Sequence, residues 1–239
     1  SETWTDNHDL GTLKPEGDLV SKLTAGLGWR AQTGVLRGYV DYALTGLVYA
    51  RHSDRNELQN ALNANITADL IDSRLQLVSA ASIARSAISA FDVQPGGGGS
   101  AKLAEVRNLQ VTPTWRAPLG RTMFYTATLD HVITETANSS VGDAVTTTAS
   151  LHLEPSERAR LGWALDASHL ASDFKQGRPS QADRLYGGLS FEVTDLDLRL
   201  TSSLGAERSN FGTLDKSTTT TWGVGMQWTP SPATRVAAS

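Results

Sequence analysis

Apolar and polar side chains alternate residue by residue through almost all of this chain, and no other feature limits its fold so much. Successive side chains of a β-strand point to opposite faces, so a period of two marks strands with one apolar and one polar face. The pattern is clearest in LYGGLSFEVTDLDLRLTSSLGA at 185–206. Leu185, Gly187, Leu189, Phe191 and Val193 hold every second position. After Thr194-Asp195 the rhythm restarts as Leu196, Leu198, Leu200, Ser202 and Leu204. A two-residue turn there pairs Val193 with Leu196 on one face.

The same grammar recurs elsewhere. Over 19–30 Leu19, Leu23, Ala25, Leu27 and Trp29 oppose Lys22, Thr24, Gly26, Gly28 and Arg30. Over 36–50 Leu36, Val40, Tyr42, Leu44 and Val48 oppose Arg37, Tyr39, Asp41 and Thr45. Segments 61–70, 108–116, 122–134, 145–153, 161–171, 196–206 and 221–229 repeat it, and 75–88 is more blurred. The stretch NELQNALNAN at 56–65 has helical propensity, but the alternation from Leu62 onward makes it strand. About thirteen strands are expected, several of ~10 residues or more, the length of a tilted membrane strand.

Connections alternate in length. Short ones fall near 33–34, 71–73, 118–120, 155–157, 194–195 and 231–232, and long polar ones at 5–17, 52–60, 90–106, 136–144, 173–183 and 208–218. An up-and-down antiparallel meander has this consequence, with tight turns at one rim and long loops at the other. The segment PGGGGS at 95–100 reads as the tip of the long Gly-rich external loop 90–106, an interdomain linker or an engineered join being the alternatives. The meander resumes after it, so 1–239 reads as one domain.

No run approaches the ~18 apolar residues of a membrane helix. That leaves open a β-barrel, whose signal per segment is weaker. Cysteine is absent, which excludes disulfides and thiolate metal sites. The net charge of -4 comes without a basic stripe, so nucleic acid is not an expected partner. A soluble β-sandwich, solenoid or lipocalin-like barrel also alternates. Long strands, a polar face of Thr, Ser, Asn and Gly, and aromatics near strand ends favour a transmembrane barrel. The aromatics are Trp4, Trp29, Tyr49, Trp115, Tyr125, Trp163, Trp222 and Trp228, placed as in interfacial girdles.

In such a barrel the polar faces line a lumen. The expected lining charges are Lys22, Arg30, Arg37, Asp41, Asp69, Arg85, Arg116, Asp130, Asp166, Arg184, Glu192, Asp197 and Arg199. They are either wall residues that pair across the ladder or a lining that sets selectivity. Of the histidines, His131 and His169 fall on apolar-face positions and His152 on the polar face. None stands in a nucleophile-elbow or metal-binding spacing, so no catalytic residue, metal or cofactor is expected.

Two stretches carry a resemblance. One is Glu2-Thr3-Trp4-Thr5-Asp6-Asn7-His8-Asp9-Leu10; the other is Tyr49-Ala50-Arg51-His52-Ser53-Asp54-Arg55-Asn56, continued by Leu62-Asn63-Ala64-Asn65. Together they resemble the outer-membrane β-barrel family associated with the exosortase/PEP-CTERM system of Gram-negative bacteria. LGWALDASH at 161–169 is similar to a later strand of that family. The resemblance implies an integral protein of the cell outer membrane, encoded near genes for exopolysaccharide production and surface-protein sorting. Family members are longer, with further strands. The expected partners are therefore outer-membrane lipid, exopolysaccharide or export machinery, and either the remaining strands or other protomers.

Asp6, Asn7, Asp54 and Asn56 belong to the two motifs and follow strands. Asp and Asn close loops through side-chain bonds to the backbone; the other role open to them is binding a cation or sugar hydroxyls through oxygen. Three function classes follow: a channel or secretion component, a surface anchor acting through its loops, and, least favoured, an outer-membrane enzyme.

Overall fold

A computed structural model describes residues 2–5, 18–72, 74–87, 103–137, 142–156, 161–193, 197–211, 216–231 and 234–238. The fold is an all-β, up-and-down antiparallel meander. Its strands are β1 (Glu2–Thr5), β2 (Asp18–Gln32), β3 (Leu36–Tyr49), β4 (Glu57–Ile71), β5 (Leu75–Ala87), β6 (Leu103–Leu119) and β7 (Met123–Thr136). They continue as β8 (Ala144–Pro155), β9 (Leu161–Phe174), β10 (Ser180–Val193), β11 (Leu198–Phe211), β12 (Ser217–Ser231) and β13 (Thr234–Ala238). Each strand pairs with its neighbour in sequence. The stretch with helical propensity is strand from Glu57 onward, and the one helical element among the described residues is a 3-10 turn at Ser53–Arg55.

Contacts group the chain into two units, one of 1–68, 78–110 and 133–143, the other of 69–77, 111–132 and 144–239. In the first, the β2–β3 ladder sets Trp29 opposite Val40, Leu27 opposite Tyr42 and Ala25 opposite Leu44. The β3–β4 ladder then adds Ala64, Leu62 and Asn60 to those three rows. In the second, four ladders run from β8 to β12. One row joins Leu153, Leu165, Gly187, Leu204 and Trp222; the next toward the tight turns joins Trp163, Leu189, Ser202 and Val224. The alternation therefore builds mainly apolar rows, interrupted at Asn60 and Ser202, because each register keeps the apolar parity of one strand against that of the next.

The sheet has almost no apolar interior. Among the described residues only Ala104, Ala117 and Ala182 are buried hydrophobics. Leu23 and Trp222 are each 79% exposed, and Leu185, Leu189, Leu204 and Val224 all stand open. The accessible surface is 16707 Å², where a globular monomer of this mass exposes roughly 10,000 Å². Within the sheet, the ladders and cross-strand pairs hold the strands together.

Several elements differ from the sequence expectation. Strands are longer and loops shorter than the polarity pattern implied. β9 and β10 reach Phe174 and start at Ser180, so the 173–183 connection shrinks to 175–179. Polar residues such as Gln181 and Asp183 continue the ladder, since the pairing is made by backbone groups and does not depend on which side chains the strand carries. The blurred 75–88 segment is strand to Ala87. PGGGGS, Asp6 and Asn7 lie outside the described residues.

The β10–β11 turn is also longer than expected. Val193 pairs with Leu198, not Leu196, so four residues connect the strands and the parity is unchanged. Asp197 belongs to this turn, with φ 45, and its carbonyl accepts from the Thr229 backbone amide at 3.1 Å. It is therefore not a lining residue of β11, which corrects the sequence reading. Asp tolerates the left-handed region better than most residues because its short polar side chain bonds locally.

Gly38 is required for another reason. A Cβ there meets the Asn65 carbonyl oxygen and the Ile66 Cα of the neighbouring strand, both backbone atoms. Gly38→Ala is expected to lower stability by about 1–3 kcal/mol. Asp197→Gly is expected to leave stability unchanged or raise it, and Asp197→Val to cost about 1–2 kcal/mol. Urea unfolding of the three variants checks the order.

Candidate functional site

The polar face is the candidate site, because ladder alternation gathers the charged side chains there. In the first unit its centre is Arg30 on β2. The guanidinium donates two parallel bonds, each 2.8 Å, to the two oxygens of Asp41 on β3. It also lies over the Tyr39 ring, 5.0 Å from the centroid. The Tyr39 hydroxyl donates in turn to Asn63 of β4 at 3.3 Å. Farther along the same ladder, Thr24 and Thr45 stand opposite each other and bond hydroxyl to hydroxyl at 3.0 Å. Near the start of β4, Arg85 pairs with Glu57 at 2.6 Å, and Gln59 donates to the same carboxylate.

The second unit carries a longer chain of charges. Arg116 on β6 reaches past β7 to Glu154 on β8 at 2.6 Å, its guanidinium 5.1 Å from the Phe124 ring centroid. His152, two residues earlier on the same face, sits between two carboxylates. Its Nδ1 is 2.6 Å from Asp166 on β9, and its Nε2 is 3.7 Å from Glu154. Farther along, Arg184 on β10 pairs with Glu207 on β11 at 2.9 Å. Glu192 and Arg199 stand opposite each other in the β10–β11 register.

Between these charges lies a hollow of about 760 Å³. His152, Glu154, Glu192 and Arg199 rim it, and Gly162, Ala164, Gly188, Ser190 and Ser203 floor it. The floor is low because small residues face each other across the ladder. A Cβ at Gly162 meets the Ser190 hydroxyl. Gly205 serves the wall differently, leaving room for the Tyr186 ring opposite it, which a Cβ there overlaps.

The other expected lining residues also fall on polar-face positions. Asp69 accepts from Gln76 at 3.0 Å, and Asp130 accepts from Thr112 at 2.6 Å. Lys22 stands opposite Leu47, and Arg37 is set between Gln32 and Thr67. Glu57 and Glu154 were not singled out in the sequence. Glu154 shares the parity of His152, and that was the available signal.

The loop motif at 49–56 has a structural role. The Asn56 side-chain oxygen accepts from the Tyr49 backbone amide at 2.8 Å, closing the connection from β3 to β4 across the 3-10 turn. Asp54 lies inside that turn. Asn56 therefore works as a loop clasp.

The Asp166–His152 contact has the spacing of an acid that orients a catalytic imidazole. The ring's other nitrogen, however, faces a second carboxylate, Glu154, rather than a hydroxyl. What the arrangement does chemically is neutralise one charge with another along the polar face. Such pairs are half-exposed, 44% and 31% for the side chains of Arg184 and Glu207, and pairs of that kind contribute about 0–1 kcal/mol.

No protein-family model matches the chain, and no curated protein matches it. Among solved structures it is similar to a bacterial polysaccharide outer membrane secretin at 12% identity and a TM-score of 0.47, over 89% of this chain and 71% of that one. It is also similar to a loop L8 deletion mutant of OmpT, an outer membrane protein of Vibrio cholerae, at 10% identity and a TM-score of 0.48, over 95% of this chain and 73% of that one.

A double-mutant cycle on Arg184→Ala and Glu207→Ala is expected to give a coupling of about 0.2–1 kcal/mol in unfolding experiments, falling with added salt. A coupling above about 3 kcal/mol, the scale on which breaking a buried pair costs, contradicts a wetted wall.

Proposed function

We propose that the chain is part of the wall of an integral outer-membrane β-barrel of a Gram-negative bacterium. In this reading it acts as a channel or secretion component for exopolysaccharide, linked to the exosortase/PEP-CTERM system of surface export. The observation that carries the membrane reading is the pair of faces. One side is a broad apolar surface left open, and the other is polar with its charges paired. Lipid covers the first without cost and water fills the second. A soluble protein of this size folds such a surface inward, and this sheet does not.

The link to exopolysaccharide export rests on the resemblance carried by residues 2–10 and 49–65. A paired-charge wall supports passage of a neutral or weakly charged polymer, since such a lining presents no single sign of charge. Its partners in this reading are outer-membrane lipid, the polymer or its export machinery, and further strands. β1 covers only Asp18–Ser21 of β2 in its ladder, and β13 covers only part of β12. A sheet in hydrocarbon needs those edges paired, by more of the same polypeptide or by other protomers.

Single-channel recording in planar bilayers, with and without exopolysaccharide, tests the function. Steady conductance that the polymer blocks is the expected result. A folded, membrane-inserted protein that never conducts rejects the channel and favours a surface anchor. The membrane reading has its own test. Leu189→Arg is expected to cost about 2–4 kcal/mol of stability in lipid, while Thr219→Arg, beside Glu207 on the polar face, stays within about 0.5 kcal/mol.

A further inference from the structure

The apolar face is not apolar along its whole length. On β9 it runs Leu161, Trp163, Leu165, Ala167 and then changes to His169, Ala171, Asp173. On β10 the same face reads Val193, Phe191, Leu189, Gly187, Leu185 and then Asp183 and Gln181. β11 gives Leu198, Leu200, Ser202, Leu204, Ala206 and then Arg208 and Asn210; β12 gives Trp228, Met226, Val224, Trp222 and then Thr220 and Thr218. On β9, β10 and β11 the change comes at matching ladder positions, since His169 pairs with Asp183 and Asp183 with Arg208; on β12 it comes one row earlier, at Thr220 opposite Ala206.

The apolar part begins at the tight turns. Leu185–Val193 rises about 27 Å along its strand, which at ~40° of tilt is about 21 Å across a membrane. That is close to the apolar band of a membrane barrel, about 25 Å tall. Trp163 and Trp228 stand near the turn end of the band, where an aromatic girdle belongs. The ladder nevertheless continues past the other end, to Ser180 on β10 and Phe211 on β11.

The residues beyond the band fit water or head groups, not acyl chains. His169 Nδ1 and Asp183 Oδ1 are 2.6 Å apart, yet both side chains are more than half exposed. An Arg or Lys facing lipid costs about 2–4 kcal/mol at the bilayer midplane and about 0–1 near the interface. Arg208 stands opposite Asp183 and adds a cation to the same row.

We infer that acyl chains cover the apolar face of β9–β12 only from the tight turns to Ala167, Leu185, Ala206 and Trp222. The row His169, Asp183 and Arg208 lies in the lipid head-group layer, and the strands project beyond the membrane on the side of the longer connections. Arg208, and His169 when protonated, offer donors to the phosphate and sugar oxygens of head groups, while Asp183 keeps the row from carrying one sign of charge. The inference rests on the membrane reading above and adds to it a depth, a direction and a named boundary.

The chain has no cysteine, so single cysteines can be placed at will. Leu189, Leu185 and Ala167 inside the band, and Gln181 and Ala171 beyond it, are each replaced by Cys and labelled with a small fluorophore. The full chain is then reconstituted in vesicles whose acyl chains are brominated. The expected result is strong quenching at the first three positions and several-fold weaker quenching at Gln181 and Ala171, which a water-soluble quencher reaches instead. Equal lipid quenching at all five overturns the boundary and leaves the membrane reading standing. Access of the aqueous quencher to all five, with no lipid quenching, overturns both.

Discussion

An exposed apolar face is the constraint on which everything else depends. Each strand places a line rich in Leu, Val, Trp and Ala on one side, and the ladders merge these lines into rows. No helix or second sheet covers the rows among the described residues. The hydrophobic effect favours covering such a surface with an apolar medium. In the proposed membrane setting acyl chains are that medium, and the strand lengths and the turn pattern suit it.

The polar face follows from the same geometry. Alternation that sends leucines outward sends Arg30, Asp41, Arg116, His152, Asp166 and Arg184 to the opposite side. There they are close enough to neutralise one another. Cross-strand spacing, and not local sequence, decides the partners. Arg30 finds Asp41 on the diagonal, while Arg116 reaches past a whole strand to Glu154. A face built this way is mixed in sign, with its charges paired rather than gathered into one field.

Small residues shape the wall as much as charges do. Gly162, Gly188 and Ser190 floor the hollow, and Gly205 makes room for Tyr186. Gly38 permits close approach of β3 to β4. These positions weaken strand propensity on their own. Their use here is steric: removing a side chain at one register position lets its cross-strand neighbour lie flat or leaves space for solvent.

The sequence by itself determined the fold class, the strand order and the face of almost every residue. A period of two is a local property, and short turns between neighbours leave an up-and-down meander as the direct way to pair the strands. It also placed His152 on the polar face and His169 on the apolar one. The register and the turns were decided only in three dimensions. Asp197 seemed to lie in a strand because its neighbours alternate, and the longer turn puts it outside. The partners of Arg116 and His152, and the common level at which the outer face turns polar, depend on how neighbouring ladders align. That alignment sums hydrogen bonds between segments distant in sequence, and no single strand contains it.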